Sequence, residues 1–207
     1  MPLENILKLI TTPKWANAHP TFDIEPEILE YATLHANFFL KRYEKDTQRH
    51  WKLSERRNAY VGLLGQKAFE LTLSQFEIPY VPNDPVIDQR KTKNYDFQVP
   101  FIGKIEVKTV DFQENLTRLI VKESEWHGNE FVFAMKLLDY KPTKMQFIGY
   151  AEGEAVTRDF SYANNEFPCT LSPCYWKPLS ELSSASIFFA MLKQKTQQCW
   201  EINERCH

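Results

Sequence analysis

The sequence predicts an α/β fold, a central mixed β-sheet flanked by helices with one added N-terminal helix, and three observations predict it. Two early stretches carry apolar residues at helical spacing, short β-branched and aromatic runs broken by prolines replace them from Ile78, and a helical pattern returns near the C-terminus. After an irregular 11–22, the first stretch opens at Pro26 and lines up Leu29, Ala32, Ala36, Leu40 and Tyr43. A polar segment, 44–50, separates it from the second. There Ser54 is the expected cap, and Val61, Leu64, Ala68 and Leu71 form a stripe widened by Phe69, Leu73 and Phe76. Pro79, Pro82 and Pro85 then exclude a helix. The spacing predicts a hairpin of strands 95–99 and 105–110 around a turn at 100–104, where Gly103 supplies a permissive backbone. Further strands are expected at 118–122, 131–138, 145–151 and 175–177, before Pro178 and Ser180 announce a last helix through Leu192. Phe38 with Phe39, and Phe188 with Phe189, read as core or helix-packing pairs.

A chain of 207 residues with 43% hydrophobic and 25% charged content is long enough for one packed domain, with 1–50 as a helical extension and 51–195 as the core. Its 14% aromatic content excludes disorder, because buried rings remove enough apolar area from water to offset the entropy of ordering. The formal net charge of −2 excludes a global basic field, so a phosphate-binding surface has to be a local patch. Residues 1–14 lack the pattern of a signal peptide, and no apolar run approaches the ~20 residues that span a bilayer. The expectation is a cytoplasmic protein without a membrane partner. Cys169, Cys174, Cys199 and Cys206, followed by His207, have no CxxC pair among them. Reduced thiols are therefore expected ahead of a disulfide framework or a Zn²⁺ or iron-sulfur site.

One set of residues carries chemistry. Hydrolysing a phosphodiester needs carboxylates that hold a divalent cation beside the phosphate, and a cationic side chain to orient water and offset developing negative charge. Asp96 followed after nine residues by Glu106-Val107-Lys108 supplies that set. Side chains alternate along a strand, so Glu106 and Lys108 share a face while Val107 enters the opposite layer. With the hairpin paired, Asp96 reaches the same edge, and the Val107 carbonyl is a further candidate ligand. The plain alternative is a charge pair on a solvated face. Asp139-Tyr140-Lys141 has the same spacing, yet it ends an apolar run directly before Pro142 and serves as a chance example.

The order helix, strand with Asp96, hairpin, strand with Glu106-Val107-Lys108, further strands and helix resembles the PD-(D/E)XK nuclease superfamily, whose fold is restriction-endonuclease-like. Gly62-Leu63-Leu64-Gly65-Gln66-Lys67-Ala68-Phe69 is similar to the small-residue helix before the active-site hairpin in many members, often with Glu where this chain has Gln66. Phe147-Ile148-Gly149-Tyr150, a short Glu-rich turn, and Tyr175-Trp176-Lys177-Pro178-Leu179-Ser180-Glu181-Leu182 resemble members that close the sheet and end on a helix. The resemblance implies Asp96 and Glu106 as ligands of Mg²⁺, with Mn²⁺ as a substitute, and Lys108 positioning the nucleophilic water. Gln66 would stand in the place of the helix Glu, and DNA would be cut to leave 5′-phosphates. This sequence departs from the pattern where Tyr95 replaces the motif's Pro, and where Gln66 lacks a charge that Glu70, one turn later, is placed to supply.

Lys91, Lys93 and Lys104, with Arg90 beside them and Lys122 on the next strand, form the candidate substrate-binding patch. His127 is a weaker candidate, as a lone loop histidine. The expected function is a Mg²⁺-dependent nuclease acting on DNA, with a homodimer left open. Two alternatives stand beside it: a catalytically inactive nucleic-acid-binding module of the same fold, and an interaction domain stabilised by a Cys-bound metal.

Overall fold

The helical stripes become two long helices, α1 (Pro26–Thr47) and α2 (Leu53–Gln75), in a computed structural model that describes residues 19–47, 53–83, 95–112, 117–164, 166 and 172–205. Ile28 and Ala32 of α1 and Val61, Leu64, Ala68, Phe69 and Leu73 of α2 are buried together, so the apolar spacing is spent on one shared core. Helix α2 begins at Leu53, which puts Ser54 inside its first turn instead of at the cap. Phe38 is 43% exposed, which rules out the core for it and leaves the helix-packing reading, whereas Phe188 and Phe189 are buried as expected.

The fold is α/β with a mixed, curled central sheet. Its strands in chain order are β1 (Thr21–Asp23), β2 (Val81–Pro82), β3 (Phe97–Val99), β4 (Gly103–Val110), β6 (Phe131–Leu137), β7 (Lys144–Glu152) and β10 (Ser183–Ser184). They lie side by side as β1-β7-β6-β4-β3-β2, with β10 sharing the outer edge of β7 with β1. The β3–β4 hairpin is antiparallel, with Phe97 opposite Ile105 and Val99 opposite Gly103. Its turn needs backbone in the left-handed region, which Gly103 takes at φ 117° without a Cβ penalty. β4 and β6 are parallel, and the chain that crosses between them forms β5 (Arg118–Lys122) of a second sheet. That sheet, ordered β5-β9-β8, takes in β8 (Ser161–Ala163) and β9 (Cys174–Pro178).

The two faces of the central sheet are covered differently. Ile105, Val107, Phe133 and Phe147 face α2 and the C-terminal helix α4 (Ala185–Arg205), whose Phe188 and Phe189 close an aromatic core around Phe69. Val132, Ala134 and Ile148 face the small sheet, packing on Leu119, Val121 and Val156 of the short helix α3 (Gly153–Asp159). The second face is thus covered mainly by strands, where helices were expected on both. The last helix starts at Ala185, later than Pro178 and Ser180 suggest, because Ser183 and Ser184 pair with Tyr150 and Gly149 as β10. Cys174 is disulfide-bonded, which corrects the expectation of a reduced thiol there. Cys169, Cys206 and His207 lie outside the described residues. Among the described residues no helix is long and apolar enough to cross a membrane.

Candidate active site

Asp96 sits one residue before β3, not within the strand as the spacing predicts, and its backbone is pinned from both neighbours. Its amide donates to the Ile105 carbonyl at 3.0 Å, and its carbonyl accepts from the Asn83 amide at 2.8 Å. The Asn83 side chain adds a 2.7 Å bond to the Tyr95 carbonyl, so this clamp holds the chain on both sides of the Tyr95–Asp96 peptide. Stopping β3 short leaves the Val107 amide of β4 without a strand partner, and the Asp96 carboxylate fills the gap, accepting from it at 2.7 Å. The other carboxylate oxygen accepts from Gln66 Nε2 at 2.6 Å.

The alternation of β4 runs as expected. Val107 is buried in the helix-side core, while Glu106 and Lys108 project together from the other face, with Lys108 Nζ 2.6 Å from Glu106 Oε1. Glu106 is 9% exposed, and its second oxygen accepts from Asn129 Nδ2 at 3.0 Å. Helix α2 brings Gln66 to this edge because Gly65 lies directly on β4: a Cβ there would fall 1.8 Å from the Thr109 hydroxyl. Glu70 does not reach the site, since it pairs with Lys67 and accepts from the Tyr80 hydroxyl, each at 3.1 Å.

These groups converge on a cleft of about 430 Å³. Gln66, Asn58 and Gly62 of α2 close one side, Asp96, Glu106 and Lys108 form the floor, and Arg118, Ile120, Lys122 and Glu125 line the small-sheet side. Asp96 keeps some surface open to the cleft, yet burial pushes its carboxyl up to about 7. The Glu106 charge adds to that rise, while the Val107 amide, Lys108 and Gln66 oppose it. Burial works to lower the Lys108 pKa, but Glu106, with Glu125 and Asp96 behind it, holds it above the ordinary lysine value. Lys108 therefore stays charged.

The donor set suits a hard divalent cation of the Mg²⁺ type. The buried Glu106 lies close enough to the half-buried Asp96 to disfavour its charge, and the buried Asn129 Oδ1 has no hydrogen-bond partner. The amide and carbonyl of one strand residue face the same neighbour, so the Val107 carbonyl opens toward the edge that Asp96 occupies. Among the described residues no three His, Cys, Asp or Glu side chains form a metal-binding group. A cation here would keep water in its shell, as Mg²⁺ characteristically does.

The remaining candidates separate. Lys122 lines the cleft, whereas Lys104 is exposed outside it, with its ammonium 5.6 Å from the Tyr95 ring centre. Arg90, Lys91 and Lys93 lie outside the described residues. His127 is exposed and does not line the cleft. Asp139 accepts from Thr143 at 2.6 Å within a turn, in keeping with a chance match. Sequence reasoning missed Asn129, Glu125 and the buried Asp111, which lines the cleft and pairs with Arg57 through two hydrogen bonds. The Lys122 to Glu125 spacing, i to i+3, was a usable signal; nothing local marks Asn129. No protein-family model matches this chain, and neither does any curated protein or solved structure.

Proposed function

We propose that the protein is a metal-dependent nuclease with a restriction-endonuclease-like core, hydrolysing DNA phosphodiesters at Asp96, Glu106 and Lys108. The observation that carries this reading is the convergence of two carboxylates, one buried and one half-buried, with one charged lysine and Gln66 in one cleft. The order of elements agrees with it: α2, the β3–β4 hairpin, then β6 parallel to β4.

Asp96, Glu106 and the Val107 carbonyl would hold Mg²⁺ or Mn²⁺, which when bound would polarise the phosphate and favour ionisation of the attacking water. Lys108 stands beside Glu106, where its ammonium offsets negative charge as it develops on the phosphate. Gln66 fixes the rotation of the Asp96 carboxylate, and Asn129 does the same for Glu106.

Cleavage of plasmid, linear duplex and single-stranded DNA with Mg²⁺ or Mn²⁺ tests the reading, with Asp96→Ala and Lys108→Ala compared against wild type. The expected outcome is metal-dependent cutting that falls by roughly 100-fold or more in both variants. Absence of cutting on every substrate, with binding retained, would favour the inactive binding module. Cutting retained by both variants would move the active site elsewhere.

A further inference from the structure

Two lysines reach the cleft from different sheets. Lys108 comes from β4, and Lys122 from the end of β5. Between them stands the carboxylate of Glu125, with Oε2 3.3 Å from the Lys108 ammonium and Oε1 2.7 Å from that of Lys122. Each oxygen serves one cation, so the two ammoniums flank a single planar anion.

The arrangement is built by a short turn. Residues Glu123–Glu125 form one turn of 3₁₀ helix, anchored where the Glu123 amide donates to the Pro173 carbonyl at 3.0 Å and closed by the Trp126 amide on the Glu123 carbonyl at 3.2 Å. The turn carries Glu125 back over Lys122, at i to i+3, and out to Lys108. Burial works to raise the Glu125 carboxyl, but the bond from Lys122 and the charge of Lys108 outweigh it and keep it anionic. Glu125 and Lys122 are nonetheless 45% and 54% exposed, so water screens their attraction and another anion can replace the carboxylate at little cost.

We propose that the gap between Lys108 and Lys122 is an oxyanion seat for a phosphate of the substrate, and that Glu125 is a resident stand-in which the phosphate displaces. A phosphate presents two or more oxygens to the two ammoniums, as the carboxylate does. Taking nucleic acid as the source of that phosphate rests on the function proposed above; the seat itself rests on the two lysines and the carboxylate. Glu125 then sets affinity by competition, and Lys122 is a substrate-binding residue.

The test is binding to the full chain without divalent metal, so that no turnover is needed. Fluorescence anisotropy of a short labelled single-stranded oligonucleotide is read for wild type, Glu125→Gln, Lys122→Ala, the double variant, and Glu123→Gln. Glu123→Gln makes the same charge change on the same turn, where Glu123 accepts a bond from Tyr162 outside the seat. Glu125→Gln is expected to lower Kd about five-fold, the upper range for one exposed ion pair. Lys122→Ala should raise Kd by a similar factor and abolish most of the gain in the double variant, and Glu123→Gln should leave Kd within about two-fold. Inorganic phosphate should displace the oligonucleotide at lower concentration from Glu125→Gln than from wild type. Equal shifts from Glu125→Gln and Glu123→Gln, no response to Lys122→Ala, or equal displacement by phosphate would each overturn the seat. Loss of cleavage with these binding differences intact would overturn only the nuclease reading.

Discussion

Two carboxylates, Asp96 and Glu106, stand beside one ammonium at the floor of the cleft, and Asp96, its charge disfavoured first by burial and then by Glu106, bears the cost. Its carboxyl titrates near 7 in the fold against 3.8 ordinarily, so the folded chain holds the proton more tightly than the unfolded chain. Stability from this group is therefore full at low pH and declines from about pH 4 to about pH 7, with the whole penalty present above that. The difference corresponds to roughly 4 kcal/mol of preference for the neutral carboxyl. In chelator, Asp96→Asn should accordingly raise the melting temperature at pH 8 and flatten its decline between pH 5 and pH 8. A lower melting temperature at pH 8 would mean that the charged bonds to the Val107 amide and Gln66 outweigh burial. Much of this residue-scale picture was legible. Alternation along β4 separates Glu106 and Lys108 from Val107 in any half-buried strand. The surroundings of Asp96 were not legible, because they depend on α2 delivering Gln66 from 30 residues away.

Among the elements, α2 is the one whose placement the site depends on most directly. Gly65 lets it lie against β4, so Gly65→Ala should destabilise the protein by about 1–3 kcal/mol despite the better helix propensity of alanine. Activity should fall with it, as Gln66 is drawn away from Asp96. The Thr109 hydroxyl that blocks the new methyl is buried without a hydrogen-bond partner, so Thr109→Ala should cost little alone and recover part of the loss in the double variant. Thermal melts of the four proteins measure this coupling; strict additivity would place the strain elsewhere. The long helices and β4 to β7 were readable because their periodicity spans many residues. β1, β8, β10 and α3 were not, being two to seven residues long and fixed by distant partners. The case of Ser183 and Ser184 is instructive: read locally, this region starts a helix, but pairing with β7 makes it strand. Glu125 and Asn129 meet Lys108 and Glu106 only through the β4-to-β6 crossover, 17 and 23 residues away in sequence, a distance no local pattern reports.

At the scale of the molecule, the cleft lies between two sheets whose pairings close over very different lengths of chain. The β3–β4 hairpin that sets Asp96 beside Glu106 closes over a three-residue turn, a local event. β5, the opposite wall, has to wait for β9, since Arg118 pairs with Pro178 and Lys122 with Cys174. Its pairing spans up to 60 residues and carries the entropy of closing that loop. Pulse-labelled hydrogen exchange during refolding should find amides of β3 and β4 protected before those of β5 and β9; simultaneous protection would mean that the two sheets form as one unit. The same order is expected on the ribosome. Until Pro178 has emerged, a nascent chain can already carry its paired carboxylates and Lys108, but β5 has no strand to bind and cannot stand over them, so the cleft is among the last features to be made.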